Sequence, residues 1–399
     1  MLLKSVASAK ALIWLCVALA STDANAAERD WQVHGFIAQG VAKSQGSDYV
    51  NDDGNTSLEL TEIGINASYQ VNEQIRLAGQ AVYLNAGNRL AEGARIDYAL
   101  LDWSVFQTPQ SQLNIYLGRY KNHHWLYSST RDVPMTRPSI VLPQGIYFDG
   151  FRDIAVGGDG LAIAYKRNNE QWGEFDFNFS YGTSSISDKQ TEIILSELAM
   201  GRMSHERDHQ ASIFWQPQAS QWRFGISALD SEFAYNMGRT DNFLDATIVL
   251  QRYLVNGRYE GELWEFSGEA MQERFLLEGF YTSDFQQDNI GQGFFLQARY
   301  QLTNSTKLLA RFERFYANKD DRKGNNLMAT THGQVPNYFG FQHDNVVGMS
   351  IQIANHLELQ LEHHWVEGTA RLTPVVVPNT QINDNKYWQL WAAQLMYWF

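Results

Sequence analysis

The sequence predicts an all-β fold, namely a transmembrane antiparallel β-barrel of about sixteen strands. Segments of about ten residues alternate apolar with polar side chains, as strands between lipid and water do. After residue 26 no apolar stretch is long enough for a helical membrane span. The expected strands are 31–43, 57–70, 75–85, 94–107, 111–120, 158–168, 171–182, 207–216, 221–235, 246–258, 262–272, 291–303, 307–317, 343–354, 356–368 and 387–399.

The connections between these strands alternate in length. Short ones carry turn residues, such as Asn72-Glu73, Thr108-Pro109 and Asn304-Ser305. The long ones are 44–56, 86–93, 121–157, 183–206, 236–245, 273–290, 318–342 and 369–386. Short periplasmic turns that alternate with long external loops are typical of transmembrane barrels, and an even strand count leaves both termini on the periplasmic side.

Strand 171–182 shows the two faces most clearly. Phe175, Phe177, Phe179 and Tyr181 alternate with Glu174, Asp176, Asn178 and Ser180. We expect the apolar faces to meet lipid and the polar faces to line a lumen. A soluble β-sandwich alternates in the same way, so the pattern alone leaves that alternative open. The facing of strands 31–43, 94–107 and 246–258 is ambiguous from their sequences.

Residues 1–26 have the properties of a cleaved secretory signal. A basic start precedes an apolar run from Ala11 to Ala20, and Ala24-Asn25-Ala26 is a small-residue cleavage site. The remainder, 27–399, is expected to form a single barrel domain. The only cysteine, Cys16, lies in the signal, so disulfide and thiol chemistry are not expected in the mature chain. A formal net charge of −13 argues against nucleic acid as a partner.

The chain ends on an aromatic strand, YWQLWAAQLMYWF, in which steps of two back from Phe399 give one apolar face of Tyr397, Leu395, Ala393 and Trp391. Such an ending resembles bacterial outer-membrane β-barrels. The resemblance implies localisation in the outer membrane of a Gram-negative bacterium, among outer-membrane lipid. It also implies that the last strand closes the barrel against the first, and that Tyr397 and Phe399 are an assembly signal for the barrel assembly machinery.

The longest connection, 121–157, follows the fifth strand and contains three prolines and several charged residues. Its runs Gly118-Arg119-Tyr120-Lys121 and Thr130-Arg131-Asp132-Val133-Pro134 are similar to those of porin-like outer-membrane proteins. In general-diffusion porins with sixteen strands the third loop folds into the lumen and forms the narrowest point. The resemblance therefore implies that 121–157 is a constriction loop.

Charges of both signs are expected at this constriction and on the barrel wall around it, where fixed charges select solutes. The constriction residues predicted are Arg119, Lys121, Arg131, Asp132, Arg137, Asp149 and Arg152. The wall residues predicted are Glu62, Arg76, Asp102, Glu265, Glu269, Arg299, Arg311 and Glu313. The alternative is that Arg131, Asp132, Arg152 and Asp153 pair with one another and only stiffen the loop.

The expected function is that of a porin, with passive diffusion of small hydrophilic solutes and ions, no catalytic residues, no metal and no cofactor. A homotrimer is the family habit. The first alternative is a selective channel, either for anions such as phosphate or for sugars, and Trp125, Tyr127, Tyr147 and Phe148 hint at a sugar track.

The second alternative is a barrel enzyme or adhesin. Asp208-His209 and His343-Asp344 are the pairs that such an enzyme would use. The histidine pairs His123-His124 and His363-His364 are not expected to bind a metal, since adjacent strand residues point to opposite faces. A short helix in 192–203 is also predicted from its apolar spacing.

Overall fold

A computed structural model describes residues 30–52, 54–152 and 157–399 of the chain. Within these ranges sixteen strands form one closed barrel, and each neighbouring pair is antiparallel. This confirms the predicted fold class. The predicted signal, 1–26, lies outside the described residues.

In chain order the strands are β1 (Trp31–Gln45), β2 (Thr61–Gln70), β3 (Ile75–Asn85), β4 (Gly93–Gln107), β5 (Ser111–Lys121), β6 (Gly157–Asn169), β7 (Gly173–Thr183), β8 (Arg202–Gln216), β9 (Trp222–Asn236), β10 (Ala246–Glu260), β11 (Trp264–Gly279), β12 (Gln286–Thr303), β13 (Thr306–Tyr316), β14 (Phe341–Ala354), β15 (Leu357–Gly368) and β16 (Tyr387–Trp398). Several run further than predicted toward the long connections. The reason in β11 and β12 is that their ladder continues as far as Glu278 opposite Gln286.

The two helices among the described residues are short and lie in long connections. They are α1 (Asp188–Leu195) and α2 (Asn325–Thr330). The predicted helix position, 192–203, is wrong by several residues, because the side chain of Ser187 caps the helix start by accepting from the N–H of Gln190. In the part of the chain that the structure describes, no helix is both long and apolar enough to cross a membrane.

The ends of the chain close the barrel. β1 pairs with β16 from Phe36 opposite Trp398 to Gln45 opposite Gln389. The N–H of Phe399 donates to the carbonyl of Gly35 at 3.0 Å, and the N–H of Gly35 donates back at 3.1 Å. This pairing leaves neither β1 nor β16 as a free edge strand.

Most strands expose apolar side chains on the outer face, as predicted. On β7, Phe177, Phe179 and Tyr181 are exposed, whereas Asp176 and Ser180 on the other face are buried. A membrane barrel shows this arrangement because lipid covers its outer face. The facing of β10 is ambiguous from its sequence because the strand carries apolar residues on both faces. Tyr253 and Val255 are exposed on the outer face, and Leu250 is buried on the inner face.

A large hydrophobic cluster forms on the inner faces of β9 to β13. The inward residues of this cluster include Leu229, Ile248, Leu250, Met271 and Phe295. The connection between β5 and β6 supplies their partners, which include Trp125, Leu142, Ile146, Tyr147 and Phe148. The largest hydrophobic cluster therefore joins one side of the barrel wall to this connection, and two smaller clusters lie elsewhere on the wall.

Candidate functional site

The connection between β5 and β6 contacts wall side chains on many sides of the barrel. We call its described residues 122–152 the third-loop segment. Contacts run from the segment to β2 (Arg137 to Glu62, 2.5 Å), β7 (His124 to Ser180, 2.9 Å), β8 (His124 to Ser212, 3.0 Å) and β11 (the N–H of Leu126 to Glu269, 3.0 Å). Because β2 and β11 lie far apart around the barrel, a single connection links opposite walls.

Acidic wall residues accept hydrogen bonds from backbone N–H groups of the segment. Glu362 of β15 accepts from Ile140 and Val141, and Glu313 of β13 accepts from Gly145. Gly145 suits this close approach, because a Cβ there would lie 3.1 Å from the Glu313 carboxylate. Wall carboxylates thus satisfy buried amide groups that no β-ladder pairs.

One buried charge group centres on Asp149. Its carboxylate lies 2.8 Å from the guanidinium of Arg89 and 2.8 Å from that of Arg131, and all three side chains are less than 10% exposed. Arg131 also donates to the carbonyl of Tyr147 at 2.7 Å. Burial by itself would raise the pKa of Asp149, but the neighbouring Arg89 and Arg131 bring it below its usual value. We call these three residues the Asp149 group.

A second buried charge group centres on Asp132. Its carboxylate pairs with Arg152 and, at 3.0 Å, with Lys121 at the end of β5. Lys121 also contacts Asp97 of β4 at 2.6 Å. Burial would raise the pKa of Asp132, yet Arg152 and Lys121 hold it well below its usual value. We call these four residues the Asp132 group, and it joins the third-loop segment to the β4–β5 wall.

Arg119 lines the same cavity as Asp132 and Arg152, but its own ion pair is with Asp159. It lies opposite Asp159 in the β5–β6 ladder, on the face that carries exposed Leu117, and its guanidinium is 2.7 Å from the Asp159 carboxylate. Asp153, the fourth member of the alternative pairing set, lies outside the described residues.

The predicted wall residues fall into two sets. Glu62, Glu269, Arg311 and Glu313 contact the third-loop segment, Arg311 through the hydroxyl of Ser139 and the carbonyl of Val141. The others pair among themselves nearer the short turns, with Arg76 2.8 Å from Asp102 and Arg299 2.8 Å from Glu265.

A third buried charge group, which the sequence did not predict, comprises Arg252, Glu273 and Arg371. Glu273 pairs with both arginines, and Arg371 lies 3.3 Å from it. The sequence predicts a loop at Glu273 and leaves the facing of the strand that carries Arg252 ambiguous. A signal did exist, since Glu273 continues the inward series Glu265, Glu269 at intervals of four.

The aromatic residues that hinted at a sugar track lie in the hydrophobic cluster. Trp125, Tyr127, Tyr147 and Phe148 are each at most 5% exposed. Trp125 and Tyr147 pack edge to face with their ring centroids 6.0 Å apart. Their rings therefore contact protein and leave no aromatic surface for a passing sugar.

The two members of each pair on a strand, Asp208-His209, His343-Asp344 and His363-His364, lie on opposite strand faces. Asp208 is buried and accepts from Gln210, whereas His209 packs against outward Tyr181. Likewise His364 contacts inward Asp344 at 2.8 Å, while His363 packs between Trp365 and Trp391. Within the described ranges no group of three or more potential metal ligands is found.

At the end of the barrel that carries the short turns, inward cations are exposed to solvent. Arg76, Lys166, Arg223 and Lys307 have side-chain exposures of 46%, 56%, 41% and 34%. We call these four residues the vestibule cations. Their carboxylate partners range from Asp102 and Asp176, each 8% exposed, to Glu265 at 24% and Glu174 at 44%. Water therefore reaches the interior from this end and meets charges of both signs.

Comparison with solved structures identifies proteins that share this architecture. A trimer form of OmpT, an outer-membrane protein of Vibrio cholerae, superposes with a TM-score of 0.57 at 10% identity, with 92% of this chain and 99% of that chain covered. The fold is that of outer-membrane porins. An anion-selective porin from Comamonas acidovorans gives 0.56 at 10% identity, covering 92% and 99% of the two chains. OprB of Pseudomonas putida gives 0.58 at 9% identity, covering 93% and 94%.

Sequence comparison adds no family. No protein-family model matches the chain, and no curated protein matches it. The structural likeness therefore concerns the porin fold alone.

Proposed function

We propose that this protein is a porin of the Gram-negative outer membrane, through which small hydrophilic solutes and ions diffuse passively. The third-loop segment would fold into the lumen and form the narrow part of the path. The single observation that carries the proposal is the set of vestibule cations, because exposed inward charges require water inside the barrel. A barrel that is filled by its loops and transports nothing would not need exposed charges on its inner face.

The narrow part of this proposed path lies at the Asp132 group. A polar cavity of about 310 Å³ lies there, lined by Arg95, Asp97, Asp132 and Arg152 among others. On the opposite side, the hydrophobic cluster fills the space between the segment and β9 to β13. Solutes would pass on the polar side, and the buried ion pairs make the conductance small.

A preference for anions is the second candidate, and the exposure of the vestibule supports it. Each vestibule cation is more exposed than the carboxylates with which it pairs, namely Asp102, Asp176, Glu174 and Glu265. A solute that enters from this end would thus meet the cations first, although the whole chain carries −13.

The test is the zero-current potential of the refolded protein in a planar bilayer under a KCl gradient. We expect small single-channel steps and an anion-selective potential. A cation-selective or near-zero potential with normal steps would contradict the anion preference and leave the porin proposal standing. Complete absence of conductance by correctly folded, inserted protein would contradict both.

Chemistry is not part of the proposed function. The Asp-His pairs considered for an enzyme separate onto opposite faces, so neither carboxylate orients its neighbouring imidazole.

A homotrimer is proposed because the Vibrio cholerae OmpT structure is described as a trimer form. Chemical cross-linking of the membrane-embedded protein tests it, and a monomer band alone would contradict it.

A further inference from the structure

The barrel wall is interrupted at the outer ends of β4 and β5. The β4–β5 ladder ends at Ala99 opposite Arg119, although β4 continues to Gly93 in its ladder with β3. β5 likewise continues to Lys121 in its ladder with β6. Among the described strands, residues 93–98 therefore pair on one side only. We call the gap lined by 93–98, 119–121 and 157–159 the wall notch.

Gly118 shapes this notch. Its φ is +112°, a conformation that residues with side chains rarely adopt, and a Cβ there would lie 2.6 Å from the carbonyl oxygen of Ala99. The glycine therefore lets β5 turn away from β4 where their ladder ends. Beyond that point Nη1 of Arg119 donates to the carbonyl of Ile96 at 3.1 Å. The notch is thus spanned by a side chain and is not closed by strand pairing.

The polar cavity of about 310 Å³ occupies the wall notch. Arg119 and Asp159 line its outer part, and their side chains are 35% and 48% exposed. Asp132 and Arg152 line its inner part, with side-chain exposures of only 2% and 5%. The cavity is large enough to hold several water molecules. It therefore connects the outer surface with the Asp132 group.

The outer mouth of the barrel is crossed by the connection between β15 and β16. The N–H groups of Val375 and Val376 donate to the carbonyl of Ile194 in α1 at 3.3 Å and 3.1 Å. α1 lies between β7 and β8, on the side of the barrel opposite β15 and β16. Gln190 of α1 donates in turn to the carbonyl of Gly150 in the third-loop segment. This crossing covers the centre of the mouth, whereas the wall notch lies to its side.

We propose that the wall notch is the outer entrance of the solute path, and that Arg119 and Asp159 set the charge selectivity of this entrance. The inference rests on the proposed porin function and adds to it a route and two residues. Solutes would pass from the notch to the Asp132 group, beside the crossed mouth. Because Arg119 and Asp159 carry opposite charges, the intact pair favours neither sign, and removal of one member leaves the other to act alone.

The zero-current potential of single-charge variants under a KCl gradient tests the entrance. Arg119→Gln leaves Asp159 without its partner and should shift the permeability ratio toward cations by roughly twofold, whereas Asp159→Asn should shift it by a similar factor toward anions. Both shifts should diminish as KCl rises, because salt screens exposed charges. The matched controls Arg274→Gln and Asp288→Asn break another exposed pair, away from the notch, and should leave the ratio unchanged. A purely structural role of the pair would not give shifts of opposite sign.

Chemical labelling of the notch is the second measurement. Ser185 lines the cavity and is exposed, and Ser283 is an exposed serine in the β11–β12 connection, across the barrel. The only native cysteine, Cys16, lies in the predicted signal, so a thiol reagent reaches the introduced cysteine alone. A bulky maleimide on Ser185→Cys should lower the single-channel conductance at least roughly twofold, and the same label on Ser283→Cys should leave it unchanged. If Ser185→Cys does not fold, Ala94→Cys, which also lines the cavity, takes its place.

Unchanged permeability ratios in both notch variants would overturn the proposal, and so would equal shifts in the two control variants. Full conductance after complete labelling of Ser185→Cys, verified by the mass of the intact protein, would overturn it as well. These results would leave the porin function standing, because the wild type would still conduct. A folded and inserted wild type without conductance would instead reject the porin function itself, and the entrance with it.

Discussion

Replacing Asp149 by asparagine should loosen the third-loop segment and enlarge the conductance. Asp149 neutralises two guanidiniums, those of Arg89 and Arg131, and all three side chains are almost fully buried. Breaking a buried ion pair by removing one partner costs about 3–5 kcal/mol, because the remaining charge stays buried without compensation. That cost would raise the population of displaced segment roughly 100- to 4,000-fold.

Asp288→Asn is the matched control for this substitution. It removes the same carboxylate from an arginine, but Arg274 and Asp288 are 40% and 43% exposed on the outer face. Exposed pairs contribute about 0–1 kcal/mol, so this variant should behave as wild type. Single-channel recording at neutral pH is the assay, with heat-modifiable migration to verify the folded barrel. Asp149→Asn channels with wild-type steps and dwell times would refute the reasoning.

Three further changes have defined outcomes. The double variant Lys166→Gln/Arg223→Gln removes two vestibule cations and should move the zero-current potential toward cation selectivity. The control Arg167→Gln changes an outward residue and should leave the potential unchanged. An equal shift in both variants would contradict a solute path along the vestibule cations. Burial lowers the pKa of His124 to about 3, so the wild type should lose stability as the pH falls from about 6.5 toward 3. The variant His124→Gln should flatten the pH profile of thermal unfolding. Parallel profiles for the variant and the wild type would contradict this. Deletion of Phe399 removes two hydrogen bonds to Gly35 and should lower outer-membrane levels, and unchanged levels would refute the assembly-signal prediction.

The strands could be predicted because their signal is local. A period of two identifies both faces of β7 from its own residues, and turn chemistry marks the short connections. The closure of β1 against β16 was expected from the resemblance and is present. Boundaries near the long connections could not be predicted, since those ladders extend into segments without alternation, as at Glu278 and Gln286.

The site could be predicted only in part, because its contacts join distant parts of the chain. The charged residues of the third-loop segment were identified, but their partners were not. Arg89 and Asp149 are 60 residues apart, and Ile140 and Glu362 are 222 apart. Sequence periodicity gives the face of a residue but not its neighbour across the barrel. Lys121 shows the limit, since it shares the parity of outward Leu117, yet its ammonium pairs with buried Asp132.

The two sides of the third-loop segment differ in how freely they can move. On the β9–β13 side, inward Leu250, Ile248 and Met271 would face water if the segment withdrew, and exposing each large apolar side chain costs about 1.5–3 kcal/mol. On the β4–β5 side, the segment is held by the Asp132 group, whose charges regain hydration when water enters. Displacement therefore costs less on the polar side. Opening of the path should occur at the Asp132 group while Ile146 and Phe148 stay packed against the opposite wall.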